Sequence, residues 1–310
     1  MTYSFNLIDR PWIPCITLEG EFVEVSLRGL LARAHKLREI SCETPIMSAS
    51  ILPLALAILH RVFGPEGLDP WEALWEAGEF DMERLDAYFE KWHERFDLFH
   101  PQRPFYQVKD NQVDPKSLIH LIHSIGNTAT LFTHANDEAG IQLSAAAAAR
   151  QLVTAQYFHT AGLGPQVGKS RKPFTDSTFA RGVIFWMRGS TLFESLLLNL
   201  SPYPDKRTMP QIGQDMPCWE MDDPFALRQL PNGYLDYLTW QSNCIGLIPA
   251  VESEPATVRE MTMIPGLRLS SDLQSPQKRY IQKKKKGEYT GEYSFLYFNS
   301  NKALWRDYDS

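Results

Sequence analysis

Residues 44–63 read TPIMSASILPLALAILHRVF, and this run decides how the chain folds. Thr44-Pro45 is a helix-start signature, Ile46 to Phe63 is strongly apolar, and Gly64-Pro65 ends it. A helix this apolar predicts burial, so its neighbours must cover it. Towards the N-terminus, Ser26 can cap a helix over Leu27 to Leu37. Before it, short apolar runs from Phe5 to Pro14 and from Glu21 to Val25 predict two strands joined by a turn at Glu19-Gly20. Towards the C-terminus, Trp71, Leu74 and Trp75, then Leu85, Tyr88, Phe89, Trp92 and Phe96, recur at three- and four-residue spacing and predict two amphipathic helices.

Further along, FDLFHPQRPFYQV (96–108) mixes prolines and aromatics without a helical period and reads as an ordered connection pinned by its rings. A short helix near Pro115 to Ile122, a loop from Ser124 to Gln142 and an alanine-rich helix from Ser144 to Thr154 follow. A second Gly/Pro loop, Ala161 to Phe174, precedes a helix from Ser190 to Leu200 that Pro202 stops. Prolines and acids dominate 201–231, and Tyr234 to Pro249 and Tyr289 to Phe298 have the branched and aromatic content of strands. The expected class is α+β: one large mixed domain over 1–310, helix-rich over 1–200 and β-rich over 201–310.

Bulk composition excludes several functions. With 31 Lys+Arg against 37 Asp+Glu and a net charge of -6, any nucleic-acid contact must be local. No stretch approaches the roughly 18 uninterrupted apolar residues of a membrane span, and MTYSFNLIDR lacks a signal-peptide layout, which predicts a cytoplasmic protein with no membrane partner. Cys15, Cys42, Cys218 and Cys244 form no C-x-x-C pair and read as reduced, packed thiols. His120 and His123 lie three apart, but nothing at ligand spacing completes a metal site. With no G-x-S-x-G and no H-E-x-x-H, neither catalysis nor a cofactor is expected. Trp12, Trp71, Trp75 and Trp92 read as core or interface anchors.

Two segments stand out against the acidic background. In GLGPQVGKS (162–170) a phosphate-binding loop fails on spacing, because five residues separate Gly162 from Gly168-Lys169 and three separate Gly164 from them. A surface turn, or a loop that brings backbone close to a nucleic acid, remains. Removing Cβ permits that approach, and Lys169, Arg171, Lys172, Arg181 and Arg188 face a single acid, Asp176, between 162 and 188. The second segment is Lys278, Arg279 and Lys283, Lys284, Lys285 and Lys286, followed by Tyr289, Tyr293 and Tyr297. It reads as a solvated loop or as a sequence-independent, salt-sensitive phosphate contact.

Read together, FNLIDRPWIPC (5–15), FDLFHPQRPFYQV, the run from Ser124 through GLGPQVGKSRKPFTDSTFARG (162–182) to TLFESLLLNLSP (191–202), and ALWRD (303–307) resemble the CasA family. That family is the large subunit of the type I-E CRISPR surveillance complex, Cascade. The resemblance implies a non-catalytic subunit that recognises the protospacer-adjacent motif in double-stranded DNA, helps to start strand separation and recruits a helicase-nuclease. Its implied partners are the guide RNA, the target duplex, that effector, and the backbone, small and guide-end-capping subunits. The family's glycine loop contacts the motif from the minor groove, and Gly162 and Gly164 occupy the matching positions. A second family loop, beside the guide RNA 5′ end, carries a phenylalanine and, two residues on, an asparagine; Phe132 matches, and His134 departs from the asparagine. A basic family side chain near the motif corresponds to Arg259, Arg268 or Lys278. Family members continue into a glutamine-containing wedge and a C-terminal four-helix bundle, so this chain, ending at ALWRDYDS, reads as an N-terminal part. Two other readings compete: a scaffold in an RNA-protein assembly that never reads DNA, and a nucleotide-dependent enzyme built on the Gly162 loop.

Overall fold

The computed structural model describes residues 3–108, 113–122, 141–167, 170–200, 209, 211–250, 257–271, 273–285 and 287–297. The first strand starts later than its apolar runs predict. Asn6 Oδ1 accepts the Ile8 amide at 2.9 Å and the Asn6 carbonyl accepts Arg10 N–H at 2.8 Å, a local turn that competes with a strand. The strand β1 (Ile13–Thr17) then pairs antiparallel with β2 (Phe22–Val25) across the Glu19-Gly20 turn, where Gly20 takes φ 89°. Ser26 caps α1 (Leu27–Ala32), accepting the Gly29 amide at 3.1 Å. That helix is shorter than expected, because Leu37 turns into β3 (Leu37–Ile40), which joins the other edge of β1 and buries Leu37 and Ile40.

The apolar run forms α2 (Pro45–Val62), with the Thr44 hydroxyl on the Met47 amide and Pro45 in the first turn, where its missing N–H costs nothing. At 18 residues and mean hydropathy 1.5 it is long and apolar enough to cross a bilayer by length and composition, which corrects the expectation that no segment reaches that limit. Inside the fold 61% of it is buried, as a core helix requires. Next come α3 (Leu68–Ala77), α4 (Met82–Trp92) and, beyond the two-residue strands β4 (Lys116–Ser117) and β5 (Leu143–Ser144), the second core helix α5 (Ala145–Phe158); of these α4 and α5 pack against α2. Ser50 and Thr154 hydroxyls meet at 3.1 Å where α2 and α5 touch. Arg150, buried in α5, donates to Glu43, Glu24 and the Trp12 carbonyl, tying this layer to the first sheet. Trp12 is in the core, whereas Trp71 and Trp75 stack at 5.3 Å on α3, which buries no residue fully.

The remaining elements are β6 (Gln166–Val167), β7 (Ser170–Arg171), α6 (Leu192–Asn199), α7 (Tyr234–Leu238), β8 (Asn243–Ala250), β9 (Thr257–Pro265), β10 (Tyr280–Lys285) and β11 (Glu288–Phe295). The strand expected from Tyr234 begins only at Asn243, because Tyr234–Leu238 is helical. Asp215 reaches in from outside that helix and accepts the Leu235 and Asp236 amides at 3.0 Å each. The β9 strand, which sequence reasoning did not identify, carries a four-stranded antiparallel sheet: β8 pairs with one edge, and β4 and β5 share the other. Helices and sheets thus combine as the α+β class requires.

Candidate nucleic-acid interface

Two antiparallel segments run out from the C-terminus of α5. The Ser177 and Phe179 amides donate to the His159 and Tyr157 carbonyls at 2.9 and 2.8 Å, and Gly162 and Phe174 exchange backbone hydrogen bonds at 3.3 and 2.9 Å. Beyond that bridge, β6 and β7 pair as Gln166 with Arg171 and Val167 with Ser170, so the glycine loop is an extended hairpin. Gly162 and Gly164 do different jobs. A Cβ on Gly162 would meet nothing within 4 Å, and Gly162 is exposed beside Leu163. Gly164 is buried, and a Cβ there would drive into the Lys172 carbonyl and lie 3.4 Å from the Pro265 ring at the end of β9. Gly164 therefore clamps the hairpin to the sheet, and Gly162 leaves bare backbone facing outward.

The charges sort as cleanly. Asp176 accepts the Ala161 amide at 2.8 Å and pairs with Arg181 at 2.9 Å, and Arg188 pairs with Glu39 at 3.0 Å. Arg171 and Lys172 are exposed and carry no ion pair among the described residues. Beside the hairpin lies a cavity of about 260 Å³ lined by Gly162, Pro165, Phe174, Lys116, His120 and Ile122, among others. Lys116, opposite Met261 of β9, is exposed and was missed because a lone lysine carries no pattern. Arg259, on the same strand, is exposed and grips Gln142 Oε1 with Nε and Nη2 at 3.0 and 2.6 Å. Phe132, His134 and Lys169 lie outside the described residues. Ile122 lines the cavity and Gln142 sits against Arg259, so the described flanks of the segment that carries Phe132 and His134 both border this face.

The second lysine segment is a strand and not the loop expected of like charges. Pairing β10 with β11 sets Lys284 opposite Tyr289 and Lys285 opposite Glu288. Lys284 Nζ lies 4.4 Å from the Tyr289 ring centre, and Lys283 pairs with Glu292 at 3.2 Å. These opposite-strand partners offset the repulsion that would otherwise favour a loop. Arg279, Lys283, Lys284 and Lys285 are exposed, and Lys286 lies outside the described residues. Lys278 differs from them. Its ammonium donates to the Ala180 carbonyl at 2.9 Å and lies 4.5 Å from the Phe295 ring centre, and burial pulls its pKa down to about 8. Arg268 is exposed just past β9. Among the described residues no group of three or more His, Cys, Asp or Glu could hold a metal ion.

Residues 6–310 match the family model described as CRISPR-associated protein Cse1. The CRISPR-associated protein CasA/Cse1 of Thermus thermophilus is 32% identical over 324 residues, which cover 99% of this chain and 60% of that protein. The crystal structure of Thermobifida fusca Cse1 is similar at a TM-score of 0.82 and 30% identity, over 98% of this chain and 60% of that one. A chain of a structure described as a CRISPR RNA-guided surveillance complex shares the fold at a TM-score of 0.82 and 24% identity, over 99% of this chain and 64% of that one. The chain spans about 60% of the length of the first two relatives.

Proposed function

The chain belongs to the CRISPR-associated Cse1 family, and from that premise we propose that it is a non-catalytic, cytoplasmic subunit of an RNA-guided surveillance complex. In that role it recognises the protospacer-adjacent motif in double-stranded DNA, aids the first strand separation and takes part in recruiting a helicase-nuclease. Its partners are the guide RNA, the target duplex and the other subunits of the complex. The observation that carries this reading is the clamped hairpin, with Gly162 open to solvent, Gly164 locked against Lys172 and Pro265, and Arg171 and Lys172 exposed on its return strand.

A minor groove about 6 Å wide admits bare backbone more readily than side chains, and its pattern is degenerate, so a glycine loop there reads several related motifs loosely. Arg171 and Lys172 hold phosphates and set register without reading sequence. Lys116 and Arg259, on β4 and β9, extend the same positive face. The lysines of β10 add a salt-sensitive backbone contact. Because the chain as a whole is acidic, tight binding depends on the assembled complex.

The test is to reconstitute the complex with guide RNA, with and without this chain, and to titrate matched duplexes carrying a correct or a scrambled adjacent motif at one salt concentration. Discrimination that depends on this chain and is lost in Gly162→Val supports the reading. Equal discrimination without the chain returns it to a scaffold role.

A further inference from the structure

The FDLFHPQRPFYQV connection plays no part in the interface above, yet it walls a cavity of about 250 Å³. Residues 102–108 form one side, residues 218–219 and 222–225 the other, and Gln241 and Arg95 complete the lining. None of these belongs to the glycine hairpin, β9 or the β10–β11 pair.

Three features set this cavity apart from a packing defect. First, its ring wall is flat and ordered: Phe105 and Tyr106 stack at 4.3 Å with planes 6° apart, and Tyr106 and Trp219 stack at 6.2 Å. Tyr106 holds φ 56°, a left-handed conformation that costs a bulky residue about 1 kcal/mol or more. Its hydroxyl meets Tyr157 at 3.2 Å and its carbonyl accepts Gln156 Nε2 at 3.4 Å, so surrounding bonds hold the strain in place. Secondly, Gln241 is 1% exposed, and its Nε2 donates to the Thr239 carbonyl at 3.0 Å. That bond fixes the amide orientation. Gln241 Oε1 is enclosed and accepts from none of the described residues, so a buried acceptor in the lining lacks a donor. Thirdly, two guanidinium groups, Arg95 and Arg103, line the cavity alongside the carboxylates of Asp222 and Asp223. Arg95 is braced by bonds to the Trp219 and Met221 carbonyls at 2.8 and 2.5 Å. Burial first, and the Arg103 charge second, press its pKa below the usual arginine range without discharging it. Arg103 has only a loose 3.8 Å pair with the fully exposed Asp222.

We propose that this cavity receives one nucleotide unit, its heterocycle along the Phe105–Tyr106–Trp219 wall with an N–H donated to Gln241 Oε1, and its phosphate held by Arg95 and Arg103. An apolar ligand would leave the Gln241 acceptor unmet and make no use of the two guanidinium groups. A simple anion would use the arginines alone. A nucleotide joins a flat ring, an N–H donor and an anion in one molecule, whether it arrives free or as one unit of a single strand.

The experiment titrates the full chain with AMP, GMP, CMP and UMP, with inorganic phosphate, and with a short single-stranded DNA, by calorimetry. It repeats these titrations in Arg103→Ala and Gln241→Leu. Arg103 is exposed, so its variant folds; Gln241→Leu is checked by its melting temperature. At least one mononucleotide should bind more tightly than phosphate, and each folded variant should weaken it roughly tenfold, the loss of one charge-assisted or buried hydrogen bond. Binding of the single strand alone, with the same variant losses, supports the cavity and identifies its ligand as a unit of a strand. Failure of both nucleotides and strand to bind overturns the proposal. So does binding that no folded variant weakens, or phosphate binding as tight as any nucleotide. Motif discrimination by the complex is a separate readout and stands or falls independently.

Discussion

The glycine hairpin around 162–174 and the β10–β11 hairpin both present cations on paired strands, yet they are held in opposite ways. The first is locked by a backbone contact that only glycine allows, with Gly164 against the Lys172 carbonyl and Pro265. The second touches the fold at its base, through Tyr280, Phe295 and the backbone bonds of Arg279 and Leu296, while residues from Lys283 to Tyr293 are exposed wherever described. Its cations are balanced by side chains, Glu292 and the Tyr289 ring, which water and salt can replace. A reader of groove shape needs the first kind of support, because a loosely placed loop loses the entropy of ordering on every encounter. A contact that only neutralises phosphate tolerates the second.

The sharpest way to break this contrast is at the two glycines. Gly164→Val should cost about 3 kcal/mol or more through overpacking against main chain, and should lower the thermal midpoint by several degrees. Gly162→Val, with open space around its Cβ, should leave that midpoint within about 1 °C while abolishing motif discrimination. Equal melting of the two variants would remove the clamp from the account. Next in size, the double variant Arg171→Ala/Lys172→Ala should weaken duplex binding uniformly across motifs and flatten the log affinity against log salt slope by about 2. Lys285→Ala should change the same slope by about 1 or less and leave melting unchanged. A larger effect there would reverse the ranking of the two hairpins.

The smallest effect on DNA is expected at Lys278, whose ammonium is turned onto Ala180 and Phe295. Lys278→Met should leave the salt slope unchanged. Its folded pKa, about 8, lies below the ordinary 10.5, so between these values the unfolded chain holds more protons and raising the pH favours the fold. The stability of the native chain relative to Lys278→Met should therefore rise from about pH 8 to about pH 10.5, measured by chemical denaturation across that range. A salt slope that falls in Lys278→Met would return this lysine to the surface.

Much of the fold was legible because its signals are local. The Thr44-Pro45 cap and apolar run specify α2, Ser144 specifies the start of α5, and Glu19-Gly20 specifies the first turn. Besides β9, other elements escaped because their partners are distant. Leu37 closes the expected helix, and Leu37 to Ile40 become a strand only because β1 offers them an edge; α7 depends on Asp215 for its cap, and the lysine run of β10 becomes a strand only opposite Tyr289 and Glu288. The site followed the same division. Glycine spacing and the local charge excess singled out 162–188, but nothing in the sequence separates Gly162 from Gly164, or exposed Arg171 from Arg181 paired to Asp176.

What the sequence determined by itself is the core helices α2 and α5, the α+β class, the family, and the segments in which glycine and positive charge concentrate. These follow from caps, periodicity and composition, whose free energies act within a turn or two of chain. Only the tertiary structure decided which glycine is a clamp and which is open, which lysine faces inward, and that the 96–108 connection encloses a cavity with an unmet acceptor. Each of those depends on a main-chain or side-chain atom brought from far along the chain, such as Pro265 to Gly164, Ala180 to Lys278 and Gln241 to Tyr106. Burial and the closeness of such approaches set those energies, and neither exists until the chain has folded.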